Sequence, residues 1–184
     1  MSYRKLLVRA SQAAVIGCLG IATSSWAGAG TTTFTVQATV LQKCSISAPL
    51  FDFANYDPLV TNLSAPLAHT GTLSITCTKN SGATIPVTIG LDTGSNGPNA
   101  IGTTRAMKSG TTYLNYEIYQ PNGNGLAATC TGTTWTSSGG GLMTASDTFG
   151  VASPVTFNVC GSVPGGQDPG QGAYSDLVTA QVNF

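Results

Sequence analysis

Residues 31–42 read Thr-Thr-Thr-Phe-Thr-Val-Gln-Ala-Thr-Val-Leu-Gln, with Phe34, Val36, Ala38 and Val40 separated by Thr35, Gln37 and Thr39. Side chains on an extended strand alternate between faces, so this pattern carries four apolar groups on one side and polar groups on the other. The stretch contains no Pro, Gly or charge, and nothing inside it prevents pairing along both edges. A strand near the start of a secreted chain can close its own sheet or be lent to a neighbouring molecule. Here the expectation is that it is lent.

Upstream, Arg4, Lys5 and Arg9 precede a short apolar run between Ala13 and Ala22, and small residues follow at Ser24-Ser25-Trp26-Ala27-Gly28-Ala29. This is the layout of a secretory signal peptide over residues 1–29, with Ala27-Gly28-Ala29 as a cleavage sequence and Ser25-Trp26-Ala27 as a second one. The apolar run falls short of the ~20 residues that a membrane-spanning helix requires, and no later segment is a candidate span. The expected organisation is a leader (1–29), an N-terminal strand (30–42) and one domain (43–184). The secreted part would be roughly 155 residues long, within the range of a single domain.

Removing the leader takes away three of seven basic residues and none of the seven acidic ones, leaving four against seven, a net charge of −3. A weakly acidic chain with few charges is a poor partner for nucleic acid or an anionic membrane. Thr, Gly, Ser and Asn dominate, there is a single Glu, and helix formers are sparse. That is the composition of an all-β extracellular domain.

Cys18 belongs to the leader, so Cys44, Cys77, Cys130 and Cys160 remain. An even number in an exported chain points to two disulfides, and four cysteines allow three connectivities. Pairing between sequence neighbours, Cys44–Cys77 and Cys130–Cys160, is the expected one. A metal site is the poorer alternative, because no C-x-x-C occurs and His69 is the single histidine.

Short alternating stretches recur through the rest of the chain. Strands are expected at 44–47, 50–53, 72–77, 84–91, 113–119, 155–160 and 174–184, with weaker candidates at 126–135 and 142–151. In the last of the main set, Val178, Ala180, Val182 and Phe184 share a face. Pro86 lacks a backbone donor, so its strand should run at an edge at that point. Loops are expected at 55–68, 92–104, 121–125 and 163–172, where Pro, Gly and Asn cluster. Many short strands with turn signals between them predict an antiparallel β-sandwich.

Chemistry-bearing patterns are scarce. His69 lies in a Pro/Ala/Thr-rich stretch with no acidic residue within ten positions, and reads as a solvated loop histidine. The acidic residues are scattered, and the Gly139-Gly140-Gly141 run lacks the Lys and helix of a phosphate cradle. Asp92, Asn96 and Asn99 offer oxygen atoms to calcium, but a solvated loop is the simpler reading. Trp135, Tyr113, Tyr119 and Tyr174 raise sugar binding, although most aromatics of a sandwich belong to its core. The expectation is no enzyme and no cofactor.

The pieces Phe34-x-Val36-x-Ala38-x-Val40 before Cys44, Gly71-Thr-Leu-Ser-Ile-Thr-Cys77, Arg105-Ala-Met107 and Leu114-Asn-Tyr116-Glu-Ile-Tyr119 occur in that order. Val155-x-Phe157-x-Val159-x-Gly161-x-Val163-Pro164 and the tail Gly172-Ala-Tyr174-Ser-Asp176-Leu-Val178 to Val182-Asn183-Phe184 follow them. In this the chain resembles the spore coat U domain family, which includes the pilin subunits of archaic chaperone–usher pili. Cys160 departs from the family pattern, so the Cys130–Cys160 pair belongs to a subgroup at most.

The resemblance implies an incomplete immunoglobulin-like antiparallel β-sandwich of pilin type, completed by a donor strand. It implies Phe34, Val36, Ala38 and Val40 as the donor side chains. Tyr174, Val178, Ala180, Val182 and Phe184 would form the edge of the acceptor groove. The implied partners are a periplasmic chaperone, an outer-membrane usher and further pilin subunits joined head-to-tail, a homopolymer among them. The implied location is the cell surface, reached through the periplasm, and the implied role is adhesion and biofilm formation. A self-contained secreted coat protein and a carbohydrate-binding adhesin are the alternatives.

Overall fold

The computed structural model describes residues 28–78, 82–121, 130–150 and 153–184. Nearly all of the predicted leader lies outside the described residues. So do residues 126–129 of one strand candidate, the turn at 122–125 and the final residue of the 142–151 candidate.

The chain divides into two units, Met1–Ala38 and Thr39–Phe184. In the first, residues 28–38 belong to no strand, and Phe34, Val36 and Ala38 are exposed. The alternation of residues 31–42 is therefore not realised as a paired strand. An extended segment becomes one only when a partner accepts its backbone hydrogen bonds, and no ladder among the described residues includes it.

The second unit holds eight strands and no α-helix among the described residues: β1 (Cys44–Ser47), β2 (Leu67–Cys77), β3 (Ile85–Leu91), β4 (Arg105–Ser109), β5 (Thr112–Tyr119), β6 (Met143–Asp147), β7 (Val155–Val163) and β8 (Ala180–Asn183). They form two sheets, ordered β1-β2-β7-β5-β4 and β6-β3-β8, and every strand pair is antiparallel. The core lies where the inward phases of the strands meet: Leu73 and Ile75 of β2, Ile85, Val87 and Ile89 of β3, Leu114 and Ile118 of β5, Phe157 and Val159 of β7. Both predicted disulfides are present, Cys44–Cys77 joining β1 to β2 and Cys130–Cys160 anchoring to β7.

Pro86 sits where the sequence places it. β3 is flanked by β6 at Pro86, but β8 joins on the other side only from Thr88, so the strand is a local edge there.

Several expectations are corrected. The 50–53 segment is not a strand. Asp52 Oδ1 accepts a bond from the Ala54 N–H (2.8 Å), and Ala54 adopts a left-handed φ of 60°, which turns the chain out of an extended course. β2 begins at Leu67, so His69 is no loop residue. It pairs with Gly161 across the β2–β7 ladder, is half-buried, and meets the Phe51 ring edge-on at 4.9 Å. β4 carries no alternation in its sequence, because Arg105 and Ala106 are both buried.

Candidate functional site

Among the described residues β1 is paired on one side only, by β2, and β8 on one side only, by β3; their Cα atoms come within 8 Å of each other. Between the chain that leaves β1 and the chain that enters β8, the two sheets part. The result is an open cleft of about 1100 Å³. Its floor is core side chain: Leu73, Leu91, Leu114, Tyr116, Ile118 and Val159. One wall is the 48–54 segment and the other is the 169–178 segment, continued by Ala180.

The first wall is placed by rings against glycine. A Cβ on Gly71 would stand 2.6 Å from the Phe51 ring, and one on Gly161 would stand 2.7 Å from both Phe51 and Phe53. These two positions of β2 and β7 therefore leave the space in which the rings lie. Phe53 continues inward to Tyr116, ring centroids 5.8 Å apart. Such edge-to-face contacts add about 0.5–1.5 kcal/mol beyond area burial.

The second wall is held along one backbone edge. Ser175 exchanges backbone bonds with Lys108 of β4, the Ser95 N–H donates to Leu177 O, and the Asp92 N–H donates to Thr179 O. Asp92 Oδ1 accepts from the N–H groups of Thr179 and Gly94. Burial alone would raise the Asp92 pKa, but these bonds outweigh it and hold the carboxyl below its ordinary range. Asp92 and Asn96 are thus committed to clamping the 175–179 segment rather than lying in a solvated loop. Asp176 and Val178, the alternate residues, form no backbone hydrogen bond among the described residues. Consecutive residues of an extended chain direct their N–H and C=O groups to opposite sides, so these two present a free edge.

Burial alternates from Tyr174 to Asn183, with Tyr174, Asp176, Val178, Ala180 and Val182 half-buried and the residues between them exposed. Of the predicted groove-edge residues, Tyr174, Val178 and Ala180 line the cleft. Val182 packs on the core without lining the cleft, and Phe184 lies beyond β8 and is half exposed. The predicted donor side chains Phe34, Val36 and Val40 are 80–83% exposed, and Ala38 is exposed too.

Asp176 was absent from the predicted set. It occupies an inward slot of an otherwise apolar face, and that phase was a signal available in the sequence. Its Oδ2 accepts from the Tyr116 hydroxyl at 2.8 Å, and its Oδ1 accepts from the N–H and Nδ2 of Asn96 at 3.2 and 3.0 Å. Burial first, then Asp176, pushes the Tyr116 phenol upward. Trp135 is fully buried, its Nε1 donating to Ile89 O, and presents no face to a sugar. Among the described residues no cluster of His, Cys, Asp or Glu could hold a metal ion.

Residues 30–181 match the Spore Coat Protein U domain. The chain is 32% identical over 187 residues to Protein U of Myxococcus xanthus, covering 96% of this chain and 98% of that protein. A similar solved structure is the CsuC–CsuE chaperone–tip adhesion subunit pre-assembly complex from the archaic chaperone–usher Csu pili of Acinetobacter baumannii. It matches with a TM-score of 0.47 and 27% identity; the match covers 79% of this chain and 40% of that one.

Proposed function

This chain belongs to the Spore Coat Protein U domain family, and on that premise we propose that it is a non-catalytic structural subunit of a surface pilus, assembled by strand donation. The observation that carries the reading is the cleft: a floor of core side chains left uncovered between two walls, one of them with a free backbone edge at Asp176 and Val178. Such an edge is a template for an added strand, whose backbone supplies affinity while alternate side chains fill the floor.

The segment suited to that role is 31–42. Phe34, Val36, Ala38 and Val40 would span about 20 Å at ~3.4 Å per residue. Each larger side chain buried contributes about 1.5–3 kcal/mol. A subunit that gives one strand and accepts another makes a head-to-tail contact, which grows an open fibre. In this reading residues 1–29 are the export leader, 30–42 the donor and 43–184 the accepting domain. A periplasmic chaperone covers the cleft before assembly, an outer-membrane usher orders the subunits, and the fibre supports adhesion and biofilm formation at the cell surface.

Deleting residues 30–41 tests the donor. The truncated chain should still be captured by the chaperone yet add no neighbour, leaving only monomer–chaperone complexes on a non-reducing gel. Normal polymers from the deletion would sink the assignment. A second reading, a self-contained secreted coat protein, accords with the family's description, Spore Coat Protein U domain. Secretion without any chaperone distinguishes the two: a soluble, thermally stable monomer supports the coat protein, and aggregation supports the pilus subunit.

A further inference from the structure

Position 176 interrupts an apolar face. Tyr174, Val178, Ala180 and Val182 share its phase, and a carboxylate there gains nothing from the hydrophobic effect. An open apolar cleft, on the other hand, gains by closing, because an inward shift of the 174–179 segment would cover Leu73, Leu91 and Leu114. Backbone bonds at Ser175, Leu177 and Thr179 hold the outer edge of the wall, and Asp176 is the inward side chain that ties it to the cleft floor. Resting on the strand-accepting reading, we propose that Asp176 is a positioning residue that keeps the cleft open for strand capture.

The geometry is that of a latch with three donors. Tyr116 holds one carboxylate oxygen from the floor, and Asn96 holds the other through its N–H and side-chain amide. Tyr116 lies on β5, 60 residues from Asp176 in sequence, so that anchor does not travel with the wall, whereas Asn96 joins the wall to the loop after β3. The loop approaches closely only because residue 94 is glycine: its φ is +75°, and a Cβ there would collide with Asp176 Oδ2. A part-buried polar pair of this kind persists when every partner is matched and weakens when one is missing. Asn at 176 would keep one acceptor oxygen and turn an NH₂ toward one of its three donors.

The test uses the full-length secreted chain, kept below the concentration at which it self-assembles, and a fluorescent peptide of residues 31–42. The wild type should capture the peptide. Tyr116→Phe and Asp176→Asn should each slow association at least tenfold, while the dissociation rate and the melting temperature of the peptide-filled form stay within twofold and about two degrees of wild type. Tyr116→Phe preserves the shape of the core, so it keeps the test decisive if Asp176→Asn does not fold. Capture at the wild-type rate by both variants, or a loss confined to the melting temperature of the filled form, overturns the latch alone. A wild-type chain that captures no peptide overturns the strand-accepting reading, and the latch falls with it.

Discussion

Tyr116 and Glu117 are neighbours on β5, yet they anchor two centres of opposite character. At Glu117 the molecule is closed. The Arg105 guanidinium is fully buried: its Nε bonds Asp92 O, its Nη1 bonds Thr104 Oγ1 and Glu117 Oε1, and its Nη2 bonds Leu91 O and Trp135 O. Thr104 also donates to the Glu117 carboxylate through its N–H and its hydroxyl. Burial pulls the Arg105 pKa down, and Glu117 opposes that pull. At Tyr116 the molecule is open, and the hydroxyl meets Asp176 in the wall of a cleft. The contrast teaches how a sandwich with an open cleft stays folded. One guanidinium ties the end of β3, the start of β4, β5 and the Trp135 segment together, so the two sheets stay joined beside the open cleft.

That contrast can be broken by mutation. Arg105→Met should have the largest effect, about 3–5 kcal/mol in urea unfolding, because it strands the Glu117 carboxylate and leaves three backbone carbonyls without their donor. An effect below about 1 kcal/mol would show that the closed centre is not what holds the molecule. Gly94→Ala should lose less, about 1–3 kcal/mol, through its left-handed backbone and the collision with Asp176. Its loss should be concentrated in amide-exchange protection at 175–179, and uniform loss across both sheets would contradict the separation of the two centres.

The smallest effect is alkaline. The folded Tyr116 pKa is raised above the unfolded value of 10.0, so its contribution is complete below pH 10 and is lost as pH rises toward the folded pKa. The slope is at most about 1.4 kcal/mol per pH unit for one group. Wild-type stability should therefore fall more steeply above pH 10 than that of Tyr116→Phe; equal slopes would mean that the phenol is not buried against Asp176.

Much of this architecture is written in local pattern. Alternation located β3, β5, β7 and the inward phase from Tyr174 to Val182, because the face a side chain takes on a strand depends only on its parity. The neighbour pairing of the first two cysteines holds because β1 and β2, consecutive in the chain, pair antiparallel with Cys44 opposite Cys77. The polar centres were not. Arg105 reads as one more charged surface residue until Leu91, Asp92, Glu117 and Trp135 are brought around it, and His69 reads as a loop residue until Phe51 lies against it.

By itself, then, the sequence determined an all-β chain, its in-and-out phases, its two disulfides and an alternating apolar segment at 31–42. The tertiary structure alone decided which polar side chains are buried, where the two sheets part, and that Asp176 rather than Phe184 stands in the cleft wall. The reason is range. Parity along a strand is a property of adjacent residues, whereas a buried charge is tolerable only beside donors drawn from distant parts of the chain.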